Sequence, residues 1–452
     1  MRVTTVFSRL LCLDGVWVRK VRFEQCVVVV RVALRRRRLR CPLCEFSTRA
    51  RKDTRPVDSV WRHLDLGIWR LEIHCRRRRL WCPEHGARVE GVPFACDGSE
   101  FTRDFECLVA WLATRTDKTT VKRLLRIDWA TVGRIIARVS ADELDPDRLN
   151  DLFDIGIDEV SWRKQHRYLT LVADHERRCV VWGTEGAGEQ AADRFFAELD
   201  PEIAAEPPPA PESPAIQEQP PPSPDPEPAT DDDQPPAGER ASKLRAISLD
   251  MGPGYAKSAR AHAPQATICI DPYHVVQLAN KALDEVRRSY WNELRSLGDQ
   301  DAAKRFKDAR WSLLKAPKKL TDKQAATLRR LKAAGGEVWR AYILKEAVRG
   351  IFEHGLTLED VTMLIDRLLS RLARSRLEPF VRLGKTIRKH RDGILAAIRL
   401  GINQGRTEAL NNKVRLITRR AYGFHSASAA LALVMLTCGP ITLHLPHERH
   451  SP

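Results

Sequence analysis

Residues 155–184 read IGIDEVSWRKQHRYLTLVADHERRCVVWGT. Three segments of this stretch, IGIDEVSW, HRYLTLVAD and RRCVVWGT, are rich in β-branched and aromatic residues and are separated by short polar segments. This pattern predicts three consecutive strands joined by turns, that is, a meander. Residues 190–199 then repeat apolar side chains at helical spacing, so a helix is expected after the third strand.

Two more strands are expected further on, LRAISLD ending at Asp250 and ATICID ending at Asp271. Because helix-forming sequence follows each of them, both are predicted to be parallel strands of an α/β arrangement. Three strands, a helix and two further strand–helix units form the layout of a ribonuclease H-like domain with a mixed sheet. In that layout the first strand is central and the fourth lies beside it.

Three acids are placed to meet in this arrangement. Asp158 lies in the first strand, Asp250 ends the fourth, and a helix laid across the sheet carries Glu408. Three neighbouring carboxylates repel one another, and a pair of Mg²⁺ ions removes that cost. Mg²⁺ binds a few carboxylates together with phosphate oxygens, and two such ions catalyse displacement at phosphorus. Asp158, Asp250 and Glu408 are therefore predicted to be catalytic and to bind Mg²⁺ or Mn²⁺.

Other interpretations of these acids are open at this point. An Asp at a strand end often caps a turn or the next helix, and Asp158 could lie on the surface. Asp271 competes with Asp250, but the fifth strand lies one position further from the first, which favours Asp250. Asp271 and His274, in DPYH, are then predicted to support the metal site from outside or to form a local structural clasp.

Glu408 belongs to the segment GRTEALNNKVRLITRRAYGF, residues 405–424. Here Thr407 could cap a helix, and a carboxylate near a helix N-terminus is stabilised by the helix dipole without binding a metal. Three basic residues on or after the same helix are predicted to hold the DNA backbone, although a solvated charged face would show the same pattern. They are Arg415, Arg419 and Arg420.

The charge of the chain points to a polyanionic partner. The 452 residues carry a formal net charge of +17. Residues 201–240 contain ten acids, one base and fourteen of the 27 Pro, so the rest of the chain carries +26. A basic body of this size most often binds nucleic acid, although a membrane surface would attract it as well. The acidic Pro-rich segment cannot bury enough apolar surface to fold and is predicted to be a disordered insertion.

The cysteines and the apolar segments indicate the cellular compartment in which the protein is expected. The eleven Cys are odd in number and several stand alone in apolar runs, which indicates a reducing cytoplasm with free thiols or a metal rather than disulfides. The first fifteen residues lack the apolar core of a signal peptide. The apolar run 427–438 is too short to span a bilayer and is predicted to be a core helix, with no membrane association.

The first hundred residues predict a small β-rich module with a metal site. Residues 27–34 are mostly β-branched, and residues 64–75 alternate apolar and polar side chains. Two pairs, Cys41-x-x-Cys44 and Cys82-x-x-His85, have the spacing that lets two pairs of ligands close a tetrahedron around Zn²⁺. Cys75 lies in the strand that leads to Cys82 and is not taken as a ligand. The basic run after it, Arg76, Arg77, Arg78 and Arg79, is predicted to contact phosphate.

Three short helical patterns follow. Their apolar faces are carried by Phe105, Leu108, Val109 and Leu112, by Val121, Leu124 and Leu125, and by Val132, Ile135, Ile136 and Val139. Thr131 is expected to cap the third helix, and Arg134 and Arg138 are expected on its open face, where they would bind DNA. This arrangement is typical of a helix-turn-helix, and an ordinary helical linker bundle is the alternative.

Three quoted segments together resemble the DDE transposases of the ISL-three insertion-sequence family. They are GIDEVSWRKQHRYLTLVAD, ISLDMGPGYAKSARAHAPQATICIDPYHVV and NQGRTEALNNKVRLITRRAYGF. Asp158 of IDE, Asp250 of LDM and Glu408 of TEALNN match the acidic triad of that family. Two departures leave the acids intact: Pro272 stands where the family has a basic residue before the aromatic, and INQG replaces the commoner Ser-Asn-Gly.

The resemblance implies a bacterial transposase encoded by an insertion sequence and acting in the cytoplasm with the nucleoid. It implies Mg²⁺-dependent cleavage and strand transfer on double-stranded DNA, at terminal inverted repeats recognised by a helix-turn-helix and a zinc-ribbon-like module. Assembly on two element ends implies a homodimer or a higher oligomer. A ribonuclease H-like nuclease that cuts without joining, and a catalytically inactive DNA-binding regulator derived from a transposase, are the alternatives.

The expected domain organisation follows from these segments. A zinc-ribbon-like domain occupies residues 1–100, a helix-turn-helix 101–150, the first part of the catalytic core 151–200, the acidic Pro-rich insertion 201–240, the second part of the core 241–275, a helical insertion 276–400, and the catalytic helix with the end of the core 401–452.

Overall fold

A computed structural model describes residues 2–163, 167–201, 238–307, 309–352, 356–402 and 405–449. For Pro253, Arg305, Arg449 and residues 405–408 only the backbone is described. Most of the acidic Pro-rich segment therefore lies outside the described residues. The chain divides into two compact units, the first made of Met1–Asp145 and Leu416–Pro452 and the second of Pro146–Arg415.

The secondary structure comprises the following elements in the described ranges. The strands are β1 Val16–Glu24, β2 Val27–Leu34, β3 Leu39–Arg40, β4 Ser47–Thr48, β5 Asp53–Thr54, β6 Ser59–Leu66, β7 Trp69–Cys75, β8 Arg78–Cys82, β9 Gly86–Val89, β10 Asp154–Arg163, β11 Arg167–Asp174, β12 Cys179–Glu185, β13 Ala246–Leu249 and β14 Thr267–Ile270. The helices are α1 Val3–Leu11, α2 Arg103–Ala113, α3 Lys118–Leu125, α4 Trp129–Asp142, α5 Glu189–Leu199, α6 Pro253–His262, α7 Pro272–Ser296, α8 Gln300–Lys307, α9 Arg310–Leu314, α10 Asp322–Ala334, α11 Gly336–Ile351, α12 Leu358–Ala373, α13 Glu378–Lys389, α14 Arg391–Arg399, α15 Gly405–Arg420, α16 Ala427–Cys438 and α17 Pro446–Arg449.

A five-stranded mixed sheet forms the centre of the second unit. Its strand order is β12-β11-β10-β13-β14. The first three strands in sequence pair antiparallel, and β13 and β14 are added in parallel. The predicted meander, the two parallel strands and the central first strand are confirmed. All four residues of β13 are buried, as expected for a parallel strand covered on both faces.

Helices cover this sheet and extend the second unit. On one side, α5 and α6 enclose a core to which Phe195 and Trp182 contribute. Helices α7 to α14 account for most of the described residues between 272 and 399 and surround another core, which includes Leu283, Val348 and Phe380. The helical character predicted for residues 276–400 is therefore confirmed.

The first unit begins with a four-stranded sheet in the order β1-β2-β7-β6. Strand β2 has the predicted bounds. The alternating segment 64–75, in contrast, is not one strand, because the chain turns at Gly67 between β6 and β7. Gly67 has a φ of +61°, a conformation that glycine adopts without steric cost. Strands β3, β4, β5, β8 and β9 form two smaller sheets beside it in sequence.

Three helices, α2, α3 and α4, complete the N-terminal part of the first unit, and α16 packs on α4. The predicted apolar face of α4 is confirmed, since Val132, Ile135, Ile136 and Val139 are buried. The predicted cap is wrong: α4 begins at Trp129, so Thr131 is its third residue, and its side chain is buried. Leu124, expected on an apolar face, is 59% exposed.

Helix α16 has the bounds predicted for the apolar run near the C-terminus. No helix in the described part of the chain combines the length and apolarity needed to cross a membrane.

Candidate active site and metal centres

Three acids lie in one row where the parallel pairing of three neighbouring strands ends, with Asp158 within β10 and the two others just after β13 and β14. In the parallel register, Ile157 lies opposite Leu249, and Leu249 lies opposite Ile270. The next residue of each strand is Asp158, Asp250 and Asp271, respectively. Since neighbouring strands lie about 5 Å apart, the backbones of Asp158 and Asp250 are adjacent. The expected proximity of these two acids agrees with this register.

Asp271 differs from the other two because its carboxylate is used by the fold. It is 3% exposed and accepts a hydrogen bond from the backbone of Tyr273 at 2.9 Å, which caps α7. This contact matches the local clasp that was one of the two predicted roles. The backbone N–H of His274 donates to the backbone oxygen of Asp271 at 3.1 Å, while its side-chain Nδ1 lies 3.2 Å from Oδ1 of Asp250, an ion-pair contact.

Asn411 is a residue of this cluster that the sequence analysis did not single out. It is 6% exposed, and its side-chain amide donates to Oδ2 of Asp158 at 2.5 Å. Oδ1 of Asp158 accepts from the backbone N–H of Glu159 at 2.7 Å. A signal for Asn411 was available, because it follows Glu408 by three residues and such residues are neighbours on a helix surface.

Glu408 is in the first turn of α15, where only the backbone is described, so its side chain lies outside the described residues. The helix begins at Gly405, two residues before Thr407. Thr407 is therefore not the N-cap, and that prediction is wrong. The following turn of the same helix carries Asn411 and its contact with Asp158.

The pKa values of Asp158 and Asp250 are shifted in opposite directions. Burial raises the pKa of Asp158, and Asp250 raises it further, while hydrogen bonds from Glu159 and Asn411 oppose the shift. His274 lowers the pKa of Asp250. Burial lowers the pKa of His274, but Asp250, Asp271 and Asp158 together raise it, and the net shift is upward. The site thus combines three acids, Asp158, Asp250 and Asp271, with the imidazole of His274, whose protonated form they stabilise.

This row suits a hard divalent cation. Two carboxylates on adjacent strands offer oxygen donors, and the Asp250 side chain is 54% exposed and accessible to an ion. Mg²⁺ keeps several water ligands and needs only one or two protein carboxylates together with substrate phosphate. The donor set therefore fits Mg²⁺ or Mn²⁺.

The predicted Cys and His pairs meet in the first unit. The ligand atoms of Cys41, Cys44, Cys82 and His85 all lie within 4.8 Å of one another. Cys75 is not part of this group, because it is fully buried in the apolar core of the four-stranded sheet.

The thiols of this cluster have opposite pKa shifts. A backbone hydrogen bond from Phe46 lowers the pKa of Cys44, but burial and the thiols of Cys82 and Cys41 together raise it to about 11. Burial alone would raise the pKa of Cys82, but the backbone and side chain of His85, the backbone of Glu84 and the thiol of Cys44 lower it to about 6. Thiolates are the form that binds metal, and three sulfurs with one imidazole are a common structural Zn²⁺ set. The donor set fits Zn²⁺.

The four arginines after Cys75 make contacts within the protein. Arg78 pairs with buried Glu90 at 2.7 Å, and Arg77 donates to Ser59 at 2.9 Å. The two others pair with more accessible acids: Arg76 with Asp58 at 3.2 Å and Arg79 with Asp53 at 3.3 Å. Arg77 also lines a cleft of about 530 Å³ with Arg36, Arg40, Arg55 and Arg103. Only Arg77 of this arginine set belongs to the predicted run.

The arginines predicted to bind DNA on α4 and α15 differ in exposure and in the protein contacts that their guanidinium groups make. In α4, Arg134 is exposed and bonds only locally to Thr131 at 2.7 Å, whereas Arg138 pairs with Glu106, which is 1% exposed. In α15, Arg415 and Arg419 are exposed, and Arg420 donates to the backbone oxygen of Thr114 at 2.9 Å. Arg134, Arg415 and Arg419 therefore have the more available guanidinium groups.

Comparison with known proteins identifies relatives over most of the chain. Residues 155–206 and 233–432 match the family profile described as "Transposase" for the ISL3 group of DDE enzymes. Residues 90–140 match the "Helix-turn-helix domain of transposase family ISL3". The intervening residues 207–232, within the acidic Pro-rich segment, fall outside the first match.

Two relatives illustrate the similarity. The chain is 35% identical over 412 residues to the transposase for insertion sequence element IS1557 of Mycobacterium tuberculosis, covering 87% of this chain and 84% of the relative. It is 26% identical over 366 residues to the transposase for insertion sequence element IS1001 of Bordetella parapertussis, covering 80% of each. The chain therefore belongs to the ISL3 family of DDE transposases, DNA-binding proteins that carry a helix-turn-helix domain.

Proposed function

We propose that this transposase cuts DNA at the terminal inverted repeats of its own element and joins the freed ends to a target. The observation that carries the proposal is the hydrogen bond from Asn411 to Asp158, next to Asp250 in the register. This hydrogen bond places α15, the helix that carries Glu408, next to the strands that lead to Asp158 and Asp250. Glu408 precedes Asn411 by three residues, so both belong to one face of α15.

Asp158, Asp250 and Glu408 would together hold the divalent ions, Mg²⁺ or Mn²⁺. When bound, such ions activate a water or a 3′-hydroxyl and stabilise the leaving oxygen at phosphorus. The protein contributes orientation and charge. Asn411 holds one oxygen of Asp158 in place and the backbone N–H of Glu159 holds the other, so that the orientation of this carboxylate is fixed.

His274 and Asp271 support the row. The imidazole next to Asp250 favours the ionised form of that carboxylate, which is the form that binds a cation. Asp271 caps α7 and so fixes the helix on which His274 lies. Both residues therefore act through Asp250 and do not need to touch the DNA.

The fold supports a ribonuclease H-like interpretation of the second unit, because the strand order, the antiparallel meander and the two parallel strands all agree with that layout. We propose that residues 151–200, 241–275 and 401–452 form this catalytic core, that 276–400 is a helical insertion and that 201–240 is an addition of this chain or its close relatives. Residues 1–100 and 101–150 are proposed as the zinc-ribbon-like and helix-turn-helix domains.

The first unit is proposed to recognise the inverted repeats. Cys41, Cys44, Cys82 and His85 would hold a structural Zn²⁺, and phosphate contacts would supply most of the affinity. The residues proposed to contact DNA are Arg76, Arg77, Arg78, Arg79, Arg134, Arg138, Arg415, Arg419 and Arg420. Because synapsis needs two ends, a homodimer or a higher oligomer on DNA in the bacterial cytoplasm is the expected active form.

A cleavage assay tests the proposal. Purified protein, Mg²⁺ and a labelled element end are incubated, and cut and joined products are separated. Changing Asp158 or Asp250 to Asn, or Glu408 to Gln, should lower cleavage by more than the roughly 10- to 100-fold typical of losing an outer partner of a metal ligand. Melting temperatures should change little for the two Asp variants, since Asp158 is only partly buried and Asp250 is exposed.

Asp271→Asn is the matched control, because the amide oxygen can still cap α7. If Asp250→Asn cuts as well as wild type while Asp271→Asn is inactive, the second acid has been misassigned. Cut products without joined products would favour a nuclease, and DNA binding without any cut would favour an inactive regulator.

A further inference from the structure

A groove of about 600 Å³ runs along the edge strand of the mixed sheet, within the second unit. We call it the β14 groove and define it by Arg260 of α6, Thr267 and Ile270 of β14, Lys389 of α13 and Arg399 of α14. Since both ends of β14 line it, it extends along the four residues of that strand, about 10 Å.

The groove is fixed by close packing. Helix α14 lies directly on β14, and the contact is made at Gly393. A Cβ at this position would come 2.8 Å from a side-chain carbon of Ile270, closer than real Cβ atoms approach. The absence of a side chain on Gly393 thus lets the helix approach the strand, and it sets the distance between the groove walls.

Three cations in this groove have no counter-charge. Arg260, Lys389 and Arg399 are exposed, and among the described residues none of them has an ion pair or a side-chain hydrogen bond. Their neighbour Arg391 is different, because it pairs with Asp366 at 2.9 Å. The acid that lines the groove, Asp392, has a side chain that is 98% exposed and lies 3.7 Å from Arg391.

The groove adjoins the row of acids. Ile270 lines it and is followed directly by Asp271, which ends the row. His390, another lining residue, is within electrostatic reach of both regions. Burial lowers the pKa of His390, Lys389 and Arg260 lower it further, and Asp250 opposes them. A chain that passes through the groove would therefore lead to Asp250.

The chemistry of the lining selects a ligand class. No Phe, Tyr or Trp lies among the described residues of the lining, so the groove does not offer the aromatic faces on which bases stack. It offers instead three cations from three helices beside a strand about 10 Å long, and one DNA strand presents a phosphate about every 3.4 Å along the helix axis. Several phosphates of one strand therefore fit within the length of the groove.

We propose that the β14 groove binds the phosphates of the DNA strand next to the scissile bond, through Arg260, Lys389 and Arg399. The inference rests on the proposed function, since it takes the acid row as the place of cleavage. It assigns DNA contacts to a helical region where the sequence analysis predicted none.

The test compares two triple variants of the full-length protein. One changes Arg260, Lys389 and Arg399 to Ala. The control changes Lys323, Arg329 and Lys332 to Ala, which removes the same charge from the exposed surface of α10. Binding to a labelled element end with its flanking DNA is measured without added Mg²⁺ at several salt concentrations.

A plot of log affinity against log salt has a negative slope, and each lost phosphate contact should make it less steep by about 0.9. The slope of the groove variant should therefore be less steep than that of wild type by roughly 2 to 3, and the slope of the control should be almost unchanged. The second arm uses DNA with neutral methylphosphonates within a few nucleotides of the cut. These should weaken binding of wild type and control but have little further effect on the groove variant.

Equal slopes for the groove variant and wild type would overturn the inference, and so would an equal loss in both triple variants. Neither result depends on catalysis. If wild type cleaves DNA with Mg²⁺ while the groove variant binds normally, the inference fails and the proposed function stands. If wild type does not cleave, the proposed function fails, and the salt slopes still report on the groove.

Discussion

The two candidate metal sites of this transposase are assembled in different ways. The ligands of the Cys/His cluster come as two local pairs, Cys41 with Cys44 and Cys82 with His85. The acids Asp158 and Asp250 are far apart in sequence and become neighbours because β10 and β13 pair in parallel. One site is built from short-range spacing and the other from strand register.

The surroundings of the two sites differ as well. Near the Cys/His cluster, the buried apolar residues are Leu39 and Leu80, grouped with two of the cysteines themselves. The acid row lies at the edge of a sheet whose core includes Ile157, Phe195 and Leu249. A core as small as the first cannot stabilise a fold by burial alone, whereas the second can. We therefore expect the first metal to hold the fold and the second to serve the chemistry.

Metal removal should give the largest difference between the two regions. Structural Zn²⁺ contributes about 10–16 kcal/mol of apparent binding free energy in small zinc modules, so Cys82→Ser should leave residues 39–90 open to protease. Bound zinc should fall from about one ion per chain towards zero, as measured by metal analysis. Omitting Mg²⁺ should abolish cleavage but leave melting and proteolysis of the second unit unchanged.

Cys26→Ser is the control for this comparison, because Cys26 is exposed and lies outside the cluster. It should keep both the zinc and the protease resistance. A Cys82→Ser protein that retains zinc and a wild-type digestion pattern would contradict a structural role for the cluster.

A second test addresses how the acid row is positioned. Asn411→Ala removes the amide that holds Asp158 and should lower cleavage by about 10- to 100-fold, the usual cost of losing a partner of a metal ligand. The Mg²⁺ concentration for half-maximal cleavage should rise, and this is an effect that a packing defect alone would not produce. The measurement is a Mg²⁺ titration of cleavage rate.

Asn412→Ala is the matched control on the next position of the helix. Asn412 is exposed, and its side chain contacts Arg415 at 3.2 Å. Its rate and its Mg²⁺ requirement should stay near wild type. If Asn411→Ala has an unchanged Mg²⁺ titration, the hydrogen bond from Asn411 to Asp158 does not position the metal site, and the active-site proposal loses its main support.

A third test concerns the helices of the first unit and reads out stability instead of cleavage. Arg138→Ala leaves buried Glu106 without its ion pair and should cost about 2–3 kcal/mol of unfolding free energy, less than the 3–5 of a fully buried pair because the Arg138 side chain is 26% exposed. Arg134→Ala, on the exposed face of the same helix, should change stability by less than about 0.5 kcal/mol. It should instead weaken DNA binding.

The pH dependence has a defined sign. Burial raises the pKa of Glu106, so stability linked to this group is present below its ordinary pKa and is lost as pH rises through the folded value. Without Arg138 the pKa rises further. The destabilisation by Arg138→Ala should therefore be smaller at pH 5 than at pH 7.5 in denaturant titrations. An equal loss at both pH values would show that Glu106 is not the cause.

Much of the fold could be predicted from the sequence, because it depends on local pattern. The apolar periodicity gave the five strands of the mixed sheet, and the order of strands and helices gave the neighbours of β10. The turn at Gly67 and the start of α4 at Trp129 were missed. The turn depends on one residue with a positive φ in an otherwise alternating pattern, and α4 begins two residues before Thr131 without a side-chain capping bond from Asp128.

The charged residues were harder to interpret, since a guanidinium can reach several partners and the sequence does not say which. Arg76 to Arg79 are predicted to contact phosphate, and the sequence did not show that each of them also has a protein partner in the fold. The sequence placed His274 beside Asp271, and the fold also brings its imidazole to 3.2 Å from Asp250. Arg260, Lys389 and Arg399 belong to three separate helices and share no sequence pattern.

By itself, the sequence determined most helices and strands, the positions of Asp158 and Asp250 along them, and the two local pairs of Cys and His ligands. These features depend on side chains only a few residues apart, whose spacing fixes their relative positions. Only the tertiary structure decided that Asn411 holds Asp158, that Arg138 neutralises Glu106 and that three unpaired cations line one groove. Such contacts join distant segments, and their geometry is set by strand register and helix packing rather than by local composition.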